Sequence, residues 1–261
     1  MQQAMLHLFK KKVNKLLGRN LGYKRFQGEQ SQNDFDFLKY NGLDKNSIFL
    51  DIGCGGGRIG IPAINFLTNS RYYGIDKEKM MIKKFQKTVS KLKYEYKAPT
   101  LLQTKLESGW EGIDQSLIFN FIYAYSVFSH LKKGSILKIL NKAKQHMSSS
   151  SKFYATFLLG DHYLEGRQHL ERKNEMENVW YSINDIEKMA ESTSLSVEFI
   201  GDEQKNWEGV PRGLFDPNVS QYNETSRWSP VITKECLEGK CPASPHTHGY
   251  HQEMFLFKTR S

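Results

Sequence analysis

Phe49-Leu50-Asp51-Ile52-Gly53-Cys54-Gly55-Gly56-Gly57-Arg58-Ile59-Gly60 decides how the rest of this chain is read. An apolar run ends in an acid, and glycines then follow at alternate positions. With Ile48 included, the run reads as a buried strand. Ile59 to Leu67, with Pro62 near its start, reads as the helix beyond the turn. A strand passing through closely spaced glycines into a helix brings bare backbone close to a ligand.

Outward from this turn, strand and helix patterns alternate. Residues 71 to 75 predict a second short strand ending at Asp76. Residues 77 to 93 predict a helix with Met80, Met81, Phe85, Val89 and Leu92 facing inward. Further strands are expected at 100–104, 117–124, 153–159, 195–200 and 253–258, and further helices at 134–147 and 182–191. Ser182 and Asn184-Asp185 are good openers for the last helix. Before the turn, residues 32–40 read as a helix closed by Asn41-Gly42. The alternation predicts an α/β fold: a doubly wound, mostly parallel, seven-stranded sheet.

Composition narrows the function classes. The chain has 261 residues, 25% charged and 39% hydrophobic, which suits one α/β domain and excludes a disordered chain or a membrane bundle. The longest apolar stretch, residues 117–128, is too short to span a bilayer. Three cysteines cannot build a disulfide framework, and Met5 to Phe9 lacks a cleavage signal, so a cytoplasmic location is expected. The net charge is +9, but Lys10, Lys11, Lys12, Lys15, Arg19, Lys24 and Arg25 supply +7 of it before the first acid, Glu29. The remainder is nearly balanced. We therefore divide the chain into a basic arm, residues 1–30, and a single domain, residues 31–261.

Two cofactor types use glycine turns of this kind. Dinucleotides prefer G-x-G-x-x-G. Here Arg58 stands three residues after Gly55, and Asp51 would repel a pyrophosphate at close range. A cationic cofactor without phosphate would instead be attracted. Asp76 lies 25 residues after Asp51 at the end of the second strand, where a carboxylate can accept two hydrogen bonds from a ribose diol.

An acid followed by Gly53, Gly55 and Gly57 resembles motif I of the class I S-adenosylmethionine-dependent methyltransferases. Residues 121–131, Phe-Ile-Tyr-Ala-Tyr-Ser-Val-Phe-Ser-His-Leu, look like the fourth-strand segment of that superfamily's small-molecule and glycan-type branches. The resemblance implies the Rossmann-like methyltransferase fold with an antiparallel last strand. It also implies S-adenosyl-L-methionine as cofactor, with contacts from Asp51, Gly53, Cys54, Gly55, Gly57, Asp76, Lys77, Leu106, Ala124, Tyr125 and Ser126. Cys54 also reads as a small packing residue, and Leu106 equally as ordinary core.

The expected activity is methyl transfer to oxygen or nitrogen of a small-molecule or glycan-type acceptor. Candidate general bases are His130, Asp161, His162 and Tyr163; the last three follow the fifth strand, whose carboxyl end borders the ligand crevice in this architecture. Two nucleic-acid chemistries are weighed down. Ala-Tyr-Ser-Val at 124–127 replaces the Asn/Asp-Pro-Pro-Tyr segment of base amino-methylation, and none of Cys54, Cys236 or Cys241 lies beside the fourth strand in sequence, where cytosine C5 methylation needs its nucleophile. The alternatives are an RNA or protein methyltransferase docking through the basic arm, or a non-catalytic cofactor-binding partner subunit.

Residues 202–250, rich in aromatics and prolines, read as a cap or lid before the last strand. Cys236, Cys241, His246, His248 and His251 are zinc-compatible residue types crowded into one loop, and no metal is expected there. In the arm, Met5, Phe9, Val13 and Leu16 fall at helical spacing among lysines. That pattern suits a helix packed over the domain or one touching anionic lipid at a membrane periphery.

Overall fold

A computed structural model describes residues 35–159, 164–167, 177–200 and 252–260. The basic arm, Asp161, His162, Tyr163, the expected cap at 202–250 and its Cys/His loop lie outside the described residues.

The glycine stretch begins with β1 (Phe49–Ile52), every residue of which is buried. Residues 35–40 form a helix, α1, which precedes it. After the turn come α2 (Gly60–Phe66), β2 (Tyr72–Asp76), α3 (Lys79–Lys91), β3 (Thr100–Gln103) and β4 (Phe121–Ala124). Then follow α4 (Lys133–Lys144), β5 (Lys152–Leu159), β6 (Leu164–Arg167), β7 (Glu177–Tyr181), α5 (Ile183–Ser192), β8 (Leu195–Phe199) and β9 (Gln252–Thr259).

Strands β3-β2-β1-β4-β5 lie side by side and parallel. β9 enters antiparallel on β5 and carries β8 antiparallel on its other edge. The seven expected strands are thus all present, and the last is antiparallel. Two strands were not expected: β6 and β7 form an antiparallel hairpin, and Trp180 and Tyr181 of β7 pair parallel with Leu158 and Leu159. Leu158 also pairs with Gln252 of β9, so β7 occupies the opposite edge of β5, on the side of β4 and beyond its end at Ala124. The hairpin therefore stands at the carboxyl edge of the sheet. The strand order reverses between β1 and β4, and such a switch point is where open α/β sheets bind ligands.

Each sheet face carries its own core. Leu50, Ile52, Ile122, Phe153 and Phe157 pack with Ile136, Leu140, Ile186 and Met189 of α4 and α5. Phe49, Tyr72, Tyr123, Tyr154 and Leu256 pack with Ile61, Ile64, Ile82, Phe85 and Phe37 of α1, α2 and α3. The strand period of two sends alternate residues to the two cores. Ser182 caps α5 reciprocally with Asp185, as its sequence position indicated.

Two expectations need correction. Ile82, Phe85, Thr88 and Val89 are the buried residues of α3, while Met80 is 72% and Met81 39% exposed. The helix starts at Lys79, so Met80 and Met81 lie in its first turn, and its buried face begins at Ile82. The fourth strand is also shorter than the apolar run that suggested it. Asn120 ends the run's claim to be strand: its side-chain oxygen accepts from the Ile48 amide at 2.7 Å, replacing a regular ladder bond.

Candidate cofactor site

The parallel strands bring Asp51 of β1, Asp76 of β2 and the Tyr125–Val127 segment after β4 to one edge of the sheet. Between them lies the glycine turn. Its amides turn inward: Gly53 and Cys54 both donate to the Ile75 carbonyl, at 2.8 and 3.1 Å, and Gly57 donates to Cys54 O at 3.0 Å. The Gly55 amide donates to Asp76 Oδ2 at 2.8 Å, while Asp76 Oδ1 accepts from the Glu78 amide, also at 2.8 Å. Asp76 thus ties the turn to β2 and holds the residue that precedes α3.

This arrangement discriminates between ligands. A pyrophosphate site needs unspent turn amides, and the four named here are spent within the protein. A carboxylate has about four lone-pair positions, so Asp76 keeps acceptor capacity beyond its two backbone partners. At Gly55, φ is +53°, and an added Cβ would meet nothing nearer than Gly53 O at 4.0 Å. The open side of the turn is therefore a cradle that a side chain would fill. Two buried carboxylates beside that cradle suit a cofactor with an ammonium, a sulfonium and a ribose diol, and no phosphate.

The post-β4 segment packs directly on the turn. A Cβ at Gly53 would lie 2.4 Å from Val127 Cγ2, so the close approach requires glycine. Ser126 adopts φ +56°, the left-handed region that a non-glycine residue enters only when held there. Its amide donates to Thr156 Oγ1 of β5 at 2.8 Å. Beside it, the Tyr125 ring stacks on Tyr123 at 6.0 Å, and the Arg58 guanidinium lies over it at 4.0 Å. That cation–π contact links the start of α2 to the end of β4 across the crevice.

The other sequence candidates are placed as follows. Lys77 is exposed, and its carbonyl accepts from Gln103 Nε2. Leu106 is 5% exposed within the core, with its carbonyl bonded to Trp110 Nε1. Ala124 is fully buried and packs in the core beneath the Tyr125–Val127 segment. His130 ends a short 3-10 turn, residues 128–130, and is partly buried. Tyr181 of β7 donates to the Leu131 carbonyl at 2.7 Å, so the unexpected hairpin is anchored one residue past His130. The glycines and the two acids are brought together with Tyr125 and Ser126, whereas Leu106 joins the core.

Cys54 is buried, and burial, with the Asp51 and Asp76 carboxylates nearby, pushes its thiol well above the ordinary range. A raised pKa leaves the neutral thiol dominant at pH 8, and the thiol rather than thiolate is unreactive. Iodoacetamide at pH 8 is therefore expected to leave Cys54 unlabelled in the folded chain and to label it fully in denaturant, read by peptide mass mapping. Among the described residues, no group of three His, Cys, Asp or Glu side chains could hold a metal, and no helix is long and apolar enough to cross a membrane.

A family model described as a methyltransferase domain matches residues 50–153, a span running from β1 to β5. No curated protein matches the sequence. Among solved structures, a S-adenosylmethionine-dependent methyltransferase from Clostridium acetobutylicum ATCC 824 is 13% identical, with a TM-score of 0.55 over 98% of this chain and 100% of that one. Magnesium protoporphyrin IX methyltransferase from Synechocystis PCC 6803, with S-adenosylhomocysteine bound, is 13% identical, with a TM-score of 0.56 over 92% of this chain and 88% of that one. The 1,6-didemethyltoxoflavin-N1-methyltransferase of Burkholderia thailandensis is 11% identical, with a TM-score of 0.56 over 100% of this chain and 91% of that one. The chain therefore has the fold of S-adenosylmethionine-dependent methyltransferases, and its residues 50–153 match a methyltransferase domain.

Proposed function

We propose that this protein is an S-adenosylmethionine-dependent methyltransferase that acts on oxygen or nitrogen of a small-molecule or glycan-type acceptor. The observation that carries the cofactor side of this reading is Asp76: bonded to the turn and to the Glu78 amide just before α3, it retains lone pairs beside the open face of Gly55. In this reading Asp76 accepts from the ribose hydroxyls, and Asp51 holds the cofactor's ammonium end. Gly53, Gly55 and Gly57 let the cofactor lie against backbone. Tyr125 and Ser126 border the methionine end, and Lys77 and Cys54 flank the contacts. When bound, the cofactor supplies a methyl group on a sulfonium, a leaving group already activated. The chain's task is then alignment and exclusion of water.

The acceptor side is supported by the β6–β7 hairpin, which stands at the carboxyl edge of β5. Two of the structural neighbours act, by their names, on a protoporphyrin and a didemethyltoxoflavin, both small molecules. For a hydroxyl acceptor, a base must take the proton. His130 is the candidate beside the hairpin, and Asp161, His162 and Tyr163 complete the set. In this reading residues 31–261 are one domain with residues 202–250 as its cap, and residues 1–30 are a separate basic arm. The test is release of S-adenosylhomocysteine by the full-length protein supplied with pools of small hydroxyl and amine acceptors, alongside binding to generic RNA at 50 and 200 mM salt. Turnover with a small acceptor, and no salt-dependent RNA binding, is expected. Steeply salt-dependent RNA binding, the signature of several phosphate contacts, together with turnover only on RNA, would overturn the acceptor class.

A further inference from the structure

We propose that Tyr72 is a positioning residue for cofactor binding: its phenol, hydrogen-bonded to Asp51, fixes the carboxylate that receives the ammonium of S-adenosylmethionine. The inference rests on the role given to Asp51 above. Tyr72 Oη donates to Asp51 Oδ2 at 2.7 Å, and both residues are 2% exposed. A hydrogen bond to an ionised acceptor is about twice as strong as a neutral one.

The register shows how much of the local structure serves this contact. Tyr72 pairs with Phe49, and Gly74 pairs with Asp51. Tyr72 therefore starts two residues behind the carboxylate on the same sheet face, roughly 6.6 Å away along the strand. Its ring must lean forward over residue 74. A Cβ at Gly74 would lie 3.0 Å from Tyr72 Cε1, so a larger residue there would crowd the path. The hydroxyl arrives beneath α2, where a Cβ at Gly60 would lie 2.4 Å from it. Two residues without side chains, on two different elements, leave room for the phenol, and Gly60 also leaves room for the Phe85 ring, 2.2 Å from its added Cβ. Phe49 and Phe85 flank the ring, each with its centroid 5.8 Å from that of Tyr72.

Burial, reinforced by the Asp51 charge, holds the phenol protonated far above neutral pH. It can therefore serve as a standing donor to the carboxylate. With Oδ2 engaged on the β2 side, rotation of the Asp51 carboxylate is restrained before any ligand arrives, and less freedom is lost on binding. Packing alone needs no hydroxyl at this position; phenylalanine would fill the same volume.

The test uses calorimetry on the full-length chain with two probes. S-adenosylhomocysteine carries the amino-acid end that Asp51 would hold, and 5′-methylthioadenosine lacks it. Tyr72→Phe is expected to weaken S-adenosylhomocysteine about tenfold and 5′-methylthioadenosine less than about twofold. In turnover, KM for S-adenosylmethionine rises with kcat nearly unchanged. Asp51→Asn serves as the reference. If it weakens S-adenosylhomocysteine selectively while Tyr72→Phe weakens neither probe, or both equally, the role of Tyr72 is overturned and that of Asp51 survives. If Asp51→Asn shows no selectivity, the underlying reading fails, and the inference with it. Should Tyr72→Phe not fold, the double variant Gly60→Ala, Phe85→Leu, which relieves the nearer contact with the Phe85 ring and leaves the hydroxyl crowded, must show the same selective loss.

Discussion

Asp76→Ala is expected to weaken S-adenosylhomocysteine binding about a hundredfold, measured by calorimetry on the full-length chain. Two contributions combine. In the proposed role, the ribose diol would lose two hydrogen bonds to a charged acceptor, each about 1.5 kcal/mol, and about 3 kcal/mol in all exceeds a hundredfold. The turn would also lose its tether, because the amides of Gly55 and Glu78 both donate to this carboxylate. Asp76→Asn should recover little. An amide offers one acceptor oxygen, and its NH2 would confront one of those two N–H groups. A loss below about threefold in the alanine variant would remove Asp76 from the cofactor site.

Gly57→Ala is expected to lower stability by about 3 kcal/mol, read as the midpoint shift in urea. Gly57 has φ +89°, and an added Cβ would lie 2.5 Å from two atoms of the Phe85 ring. The backbone term costs about 1–2 kcal/mol for an L-residue. Overpacking against a buried ring adds about 1–3 kcal/mol, since Phe85 is fully buried and has nowhere to retreat. The double variant Gly57→Ala, Phe85→Leu separates the two. Relief of the clash should return part of the loss, and the conformational part should persist. A single variant within about 0.5 kcal/mol of wild type would mean that the turn tolerates a side chain and that the glycine spacing is not structural.

The turn and its flanking strand were legible because they combine an apolar run, an acid and alternate glycines, signals that are local in sequence. Asp76 was legible for the same reason, as an acid closing a second short run. Tyr72 was not. Its meaning depends on a partner 21 residues away, on Gly74 leaving its path open and on Gly60 of another element leaving room for its hydroxyl. An aromatic residue in a strand otherwise reads as core, which Tyr72 also is. The β6–β7 hairpin escaped because β6, Leu164–Arg167, has the composition of a loop and pairs only through β7. Residues 117–120 were misread as strand because apolarity marks burial rather than conformation, and the Asn120 side chain settles the conformation. Met80 and Met81 show the same limit from the other side. Helical spacing with Phe85 and Val89 marks a face, but not how far the sheet extends beneath the first turn.

The pairing of β9 with both β5 and β8 has a consequence for how the chain assembles. β9 is the bridge between two strands that precede it by at least 53 residues, since β8 ends at Phe199 and β9 begins at Gln252. Until it arrives, one edge of β5 and the inner edge of β8 both present open rows of backbone donors and acceptors. Such edges are templates for wrong pairing. Pairings that far apart in sequence are also slow to form. During synthesis, the earlier parallel strands can close first, while completion of the sheet waits for a strand emerging from the ribosome well after β8. That interval, rather than the marginal stability of any finished element, is when this protein is most exposed to aggregation.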